Sequence, residues 1–458
     1  MSFGSRSNPV SEADRAVRAA TATARPTNVV MVKLKGGVPR VIAAASRGVR
    51  SLAAGSRQPR GLLAQLLENG IVSEAAPVFT ADEPPMAGVR GLAAATTRGP
   101  LTAAPTAARR SRGLTSLTVE AGRNAGQLAR DLMADPAVEY AYVPAVKHPL
   151  AVARRPARGK RAQAAGPDPL FARQWSHGAV HIHEARERAG FRDATDVIVA
   201  IVDSGVDRAH PDLKANIDHY TNFLAPAEDD RDYRGHGTHV AGIVAAVINN
   251  SVGIAGLCRA RLAVMKALPR RGGSWNAVAY YQALASPIEL KAKVLNLSLG
   301  GGIDPGEKDV ILDLLDAGIV VVAAMGNEFE EGNPTSYPAA YEGVIAVGAT
   351  DEVDRRAAFS CTGSHISLVA PGERILSTVP RYASELAATT MYDSWPGTSM
   401  AAPHVAAAAA LLLAKKPHLT PAQVKTQLCK ATDRVPLQKK RPDDQYGWGR
   451  LNIAKALR

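Results

Sequence analysis

The chain has 458 residues, 46% hydrophobic and 21% charged, which excludes a wholly disordered polymer and leaves room for two or three domains. Its net charge of +13 is confined to the first third: residues 1–170 hold 24 Lys and Arg against 11 Asp and Glu, whereas residues 171–458 hold 31 of each. Three scattered cysteines, Cys258, Cys361 and Cys429, exclude a disulfide framework or a zinc site and read as reduced, buried thiols.

In chain order, residues 1–27 are polar and aperiodic, a flexible arm. Residues 28–35 (NVVMVKLK) alternate as a strand. Residues 60–68 have helical spacing and stop at Asn69-Gly70. A strand is predicted over 71–80, a long loop over 81–113, a strand over 114–120, a helix over 125–133 and a strand over 138–143. The order β-α-β-β-α-β over 28–146 predicts a small α+β, ferredoxin-like sandwich. Residues 147–169 combine Pro, Gly and basic side chains and read as an exposed linker open to proteolytic nicking.

From 170 to 458 strands and helices alternate. Strands are predicted at 196–202, 262–267, 293–297, 319–323 and 344–347, and helices at 240–248, 308–317 and 399–415. The continuous apolar run DVIVAIV is typical of a parallel strand buried on both faces. The expected class is α/β with a mostly parallel sheet flanked by helices, with its chemistry on loops at the carboxyl ends of strands. The basic third carries no aromatic-interleaved motif, so its Arg residues read as a solvated surface and no nucleic-acid partner is expected. The start of the chain shows no apolar signal segment, and the longest apolar run, 405–414, is too short to span a bilayer. The expectation is a soluble, cytoplasmic protein without a membrane partner.

Three segments fall on such loops. Asp203 ends a strand in Asp203-Ser204-Gly205; alone it serves as well for a helix cap as for orienting a histidine. His236 stands between Gly235 and Gly237 at a helix entry, as a general base or, with His239, as a metal ligand; His239 also reads as a packed structural residue. Ser399 opens a long helix, where free N–H groups favour an oxyanion, though a plain cap reads the same way. Together the three are the set needed for nucleophilic acyl transfer, and Asn327, after another strand, can donate to a developing oxyanion.

The segments IVDSGVDRAHPDL (201–213), GHGTHVAGIVAA (235–246), LNLSLGG (295–301), AAMGNE (323–328) and GTSMAAPHVA (397–406) resemble the signatures of the subtilisin family of serine proteases, in the family's order. The resemblance covers about 170–458 and implies a serine endopeptidase acting on protein or peptide substrates through an acyl-enzyme. It implies Asp203 orienting His236, His236 as base then acid, Ser399 as nucleophile, and Asn327 with the Ser399 N–H as oxyanion hole; the family also supplies the general template for this chemistry. Ser298, Leu299 and Gly300 would pair with an extended substrate, and Ser336 would floor an open specificity pocket. A structural Ca²⁺ is implied at Gln174, Asp212, Ile248, Asn250, Val252 and Ile254; without metal the same loop would close on Asn hydrogen bonds. Asp229, Asp230 and Asp232 read as a solvated acidic loop rather than a second site.

The N-terminal sandwich looks like the propeptide of such proteases, which implies a zymogen, autoprocessed in the linker, with its own N-terminal domain as intramolecular inhibitor. A cytoplasmic protease also needs restraint, leaving room for a regulatory protein that no residue marks. The alternative is a self-inhibited, non-catalytic binding module that retains the protease fold. An esterase would need a G-x-S-x-G elbow, which GTSMA does not provide.

Overall fold

The computed structural model describes residues 28–35, 66, 70–79, 110–111, 113–151 and 168–458. The arm at 1–27, the long loop at 81–109 and, apart from the helical Leu66, the helix expected over 60–68 lie outside the described residues.

The first sheet contains β1 (Val29–Leu34), β2 (Val72–Pro77), β3 (Leu114–Val119) and β4 (Val138–Tyr142), in the order β2-β3-β1-β4. Each pairing is antiparallel, the order expected of a ferredoxin-like sandwich. Helix α1 (Ala125–Leu132) crosses from β3 to β4, started by the Asn124 side chain, which accepts from the Gln127 N–H at 3.0 Å. Its Leu128 and Leu132 close a core on Val30, Val32 and Leu117.

The expected exposed linker does not begin at 147. Residues Lys147–Pro149 form strand β5, paired antiparallel with β10 (Leu299–Gly301), and Lys147 and Leu150 are only 3% and 2% exposed. Composition alone does not mark this strand, because its partner, Leu299–Gly301, lies far away in the sequence.

The large sheet is wholly parallel. It holds β6 (Ile198–Asp203), β7 (Ile217–Asn222), β8 (Arg261–Lys266), β9 (Val294–Leu297), β11 (Val320–Ala324), β12 (Ile345–Thr350) and β13 (Leu368–Pro371), ordered β13-β12-β11-β9-β6-β8-β7. Alternate residues of β6 face opposite cores, Val199 and Ile201 one way and Ala200 and Val202 the other, which explains its unbroken apolar sequence. On the first face pack α2 (His236–Ala245) and α5 (Thr398–Lys415); on the second pack α3 (Ala277–Glu289) and α4 (Pro305–Asp316). Helix α2 begins four residues before its expected start, because Gly235 at φ +79° takes the cap position. Helix α5 has the length and apolarity of a membrane span, but 89% of it is buried inside the fold. A hairpin of β14 (Ile375–Val379) and β15 (Met391–Trp395) leans on α2.

The small sheet docks on the outer side of α3 and α4. Met31, Val78 and Leu114 join the apolar cluster of Tyr280, Tyr281 and Val310. Polar contacts reach α3, where Gln282 Nε2 donates to Val78 O at 3.3 Å and Tyr281 Oη lies 3.0 Å from Tyr142 Oη, and they are denser on α4 and its cap. Asp309 accepts from Lys33 Nζ at 2.7 Å and Tyr140 Oη at 2.8 Å. Asp304 accepts from Tyr142 Oη at 2.8 Å, and buried Asp313 from the N–H groups of Arg110 and Ser111 and from Ser111 Oγ.

Candidate active site

Asp203 is the last residue of β6 and His236 the first of α2, so both stand at the carboxyl edge of the sheet. His236 Nδ1 lies 2.8 and 3.0 Å from the two Asp203 oxygens, and both side chains are fully buried. This contact sets the imidazole proton on Nδ1 and leaves Nε2 as the acceptor. The approach demands glycine at 237: a Cβ there would fall 2.0 Å from Gly205 O.

Asp232 is not part of a solvated loop. It is fully buried and accepts from Thr238 N and Oγ1, Gly235 N and Ser204 Oγ at 2.7–2.9 Å, so it braces the turn that presents His236. Burial raises its pKa above the ordinary carboxylate value. Its neighbours Asp229 and Asp230 are exposed, and a run of acids gave no sign that one points inward.

His239 is structural. Its ring stacks on Trp395 at 4.6 Å with planes 6° apart, and burial lowers its pKa to about 3, so it is neutral. A metal held jointly by His236 and His239 does not fit this arrangement.

Ser399 is the second residue of α5. Its Oγ donates to Ser298 O at 2.8 Å, while Ser298 Oγ donates to Ser399 O at 2.8 Å. His236 Nε2 is buried with no hydrogen-bond partner among the described residues. The Asp203–His236 contact is therefore formed, and the serine hydroxyl is turned to Ser298 instead of the imidazole.

Asn327 follows β11. Its Oδ1 accepts from Thr398 N at 2.9 Å and Thr398 Oγ1 at 2.8 Å, which fixes the amide so that Nδ2 faces the cleft. That Nδ2 donates to Leu150 O at 2.5 Å, and the Ser399 N–H donates to the same oxygen at 3.2 Å. The carbonyl of Leu150 thus sits between the two donors expected of an oxyanion hole.

Upstream of that carbonyl the tail runs along β10, with Pro149 opposite Leu299, His148 opposite Gly300 and Lys147 opposite Gly301. Leu150 N donates to Ser298 O at 3.4 Å. The chain's own tail therefore lies along Ser298, Leu299 and Gly300, the segment expected to receive a substrate. The Leu150 side chain fills an apolar pocket beside Ser336: a Cβ on Gly300 would meet Ser336 Oγ at 2.2 Å and Leu150 Cδ1 at 2.9 Å. Sequence reading missed Leu150 and Thr398; KHPLA has no periodicity, and only the direction of the tail toward GTSMA marks it.

At the expected calcium loop, Asn250 Nδ2 and Ile254 N donate to Asp212 at 2.8 and 2.9 Å, Val252 N to Asn250 Oδ1 at 2.8 Å, and Ala255 N to Gln174 Oε1 at 2.9 Å. Asp212 is fully buried, and desolvation, with Asp168 adding to it, pushes its carboxyl up to about 6. Among the described residues no three His, Cys, Asp or Glu side chains cluster as a metal site, so a cation here depends on amide and main-chain oxygens. A buried carboxylate short of positive charge, with the amide oxygens of Gln174 and Asn250 in the same loop, is chemistry that fits Ca²⁺, while in this structure the loop closes on hydrogen bonds from Asn250 and Ile254.

The family model of the subtilase family matches residues 194–449, which spans β6, α2, β11 and α5. The chain belongs to the subtilase family. It is a subtilisin-like serine protease, a peptide hydrolase. Over 243 residues it is 40% identical to the subtilisin of Bacillus pumilus, a match covering 51% of this chain and 82% of that one. Over 229 residues it is 41% identical to the major intracellular serine protease of Bacillus subtilis (strain 168), covering 47% and 68%. The crystal structure of fervidolysin from Fervidobacterium pennivorans, a keratinolytic enzyme related to subtilisin, superposes with a TM-score of 0.67 over 94% of this chain and 60% of that one at 24% identity, a likeness of fold.

Proposed function

We propose that this subtilase is an endopeptidase made as a zymogen, with Asp203, His236 and Ser399 as its triad, and that it cuts its own Leu150–Ala151 bond. The observation that carries the reading is the Leu150 carbonyl oxygen held by Asn327 Nδ2 and the Ser399 N–H. A Ser399 χ1 change exchanges Ser298 O for His236 Nε2. Oγ then attacks the Leu150 carbonyl carbon while its proton passes to Nε2. Asn327 and the Ser399 N–H stabilise the oxyanion, and Asp203 stabilises the imidazolium. Nε2 returns the proton to the Ala151 nitrogen as the peptide bond breaks, leaving an acyl-enzyme on Ser399. Water, deprotonated by His236, releases the Leu150 carboxylate. The same groups serve any extended peptide that pairs with β10.

The N-terminal domain is the intramolecular inhibitor in this reading, because its tail fills the cleft through residue 150. Gln174, Asp212, Asn250 and the carbonyls of Ile248, Val252 and Ile254 would hold Ca²⁺, which supplies the counter-charge for Asp212; chelation by EGTA is expected to lower the unfolding midpoint by several degrees. A cytoplasmic location is part of the proposal and is supported by the similarity to a relative named as intracellular.

The test is intact mass analysis of the wild type beside Ser399→Ala. The wild type should yield a fragment beginning at Ala151, and Ser399→Ala should stay whole with hydrolysis reduced by several orders of magnitude. Processing of Ser399→Ala at the same bond would remove the serine from its role. The hydroxyl turned to Ser298 favours a second reading, a non-catalytic binding module. Failure of the purified chain to react with a fluorophosphonate would select it.

A further inference from the structure

Four residues before the bond placed for cleavage, a cation is buried in the cleft wall. Lys147 and Glu307 form an ion pair of 2.8 Å with both side chains 0% exposed. The ammonium carries three donors, and three acceptors surround it: Glu307 Oε2 at 2.8 Å, Gly302 O at 2.9 Å and Tyr337 O at 3.2 Å. Glu307 is itself held from two sides. Its Oε1 accepts from Tyr280 Oη at 2.6 Å, and its backbone N–H donates to Asp304 Oδ1 at 3.0 Å in the first turn of α4. The pocket is thus lined by α3, α4, the segment after β10 and Tyr337 between β11 and β12, whereas Lys147 arrives on the tail.

We propose that Glu307 makes the fourth residue before the cleaved bond a specificity position, selecting lysine in protein substrates. The inference rests on the reading that Leu150 occupies the place of the residue just before the cut. Any peptide threaded in that register sends its fourth upstream side chain to the place of Lys147. A neutral side chain there leaves the desolvated Glu307 Oε2 and Gly302 O without their donor, while Tyr337 O keeps the Gly301 N–H at 3.0 Å, and an acidic one adds repulsion. Three acceptors about one nitrogen suit a compact ammonium better than the planar fork of arginine. The next pockets differ in kind: Leu150 lies among apolar groups, and His148 is partly exposed, with Nε2 3.7 Å from Glu328.

The experiment uses the self-matured full chain and acetyl-Xaa-His-Pro-Leu p-nitroanilides with lysine, arginine, norleucine or glutamate as Xaa. Lysine should exceed norleucine in kcat/KM by about tenfold to a hundredfold, with glutamate slowest. Glu307→Gln should bring lysine and norleucine to within about threefold, since a neutral amide cannot select for charge. If the variant does not fold, the wild-type series alone decides. Equal rates for lysine and norleucine overturn the selectivity and leave the peptidase reading standing. No hydrolysis of any peptide, with Leu150–Ala151 uncut, removes the peptidase reading and this one with it.

Discussion

Helices α5 and α4 pack on opposite faces of one sheet and are buried by different means. Helix α5 is enclosed on all sides by its own domain, with Ala406 to Leu412 fully buried in apolar contacts. Helix α4 presents Val310, Ile311 and Leu314 to the sheet and, with its cap, turns Asp304, Glu307, Asp309, Asp313 and Asp316 toward the N-terminal segment. One face of the sheet is finished by the catalytic domain itself. The other is finished by residues that the enzyme is proposed to cut away. The charge asymmetry of the sequence has part of its explanation here: Lys33, Arg110 and Lys147 of the basic third meet carboxylates of α4.

Substitutions on the two helices sharpen this contrast. In the uncut Ser399→Ala chain, Leu411→Ala in α5 should cost about 3 kcal/mol of catalytic-domain stability in urea unfolding, because the cavity cannot be refilled from a fully enclosed helix. A loss below about 1 kcal/mol would mean that the helix is not close-packed. Asp313→Ala strands two N–H groups and a hydroxyl and should cost about 2 kcal/mol, felt as easier proteolytic release of the N-terminal sheet with the catalytic transition unmoved.

Acid should act on the α5 face. Burial lowers the pKa of His239 to about 3 and of His404 to about 4, below the ordinary histidine value of 6.5. The unfolded chain therefore takes up protons first. The stability from neutral burial is present above pH 6.5 and is lost as pH falls toward 4. His404→Leu should recover about 1 kcal/mol at pH 5.5 relative to pH 8 in the urea series. Smallest of all, Asp316→Ala breaks an exposed pair and should shift release of the N-terminal sheet by no more than about 0.5 kcal/mol. A large effect there would mean that charge alone, rather than buried hydrogen bonding, holds the domains together.

The same contrast governs what the sequence disclosed. The apolar run of β6, the glycine-flanked His236 and the helix entry at Ser399 were legible, because burial on both faces and close backbone approach leave few residue choices. Strand β7 (IDHYTN) escaped notice as a sheet edge with partly exposed side chains, and α3 carries Pro287 within its last turn, which blurs its period. Nothing in the sequence marks Glu307 and Asp313 as buried, since a carboxylate shows its burial only when its partner is in place. Lys147 and Leu150 were hidden for the complementary reason: their surroundings come from residues more than a hundred positions away.

The tail's attachment to the enzyme has a kinetic consequence. While residues 150 and 151 are joined, the cleft meets its occupant at the high effective concentration of a tethered group, so no outside substrate competes well. If that bond is cut as proposed, the occupant would become a separate product still gripped by the carboxylates of α4. The onset of activity would then follow how slowly that fragment dissociates, and the docking face would work as a timer whose delay is written in hydrogen bonds far from the serine.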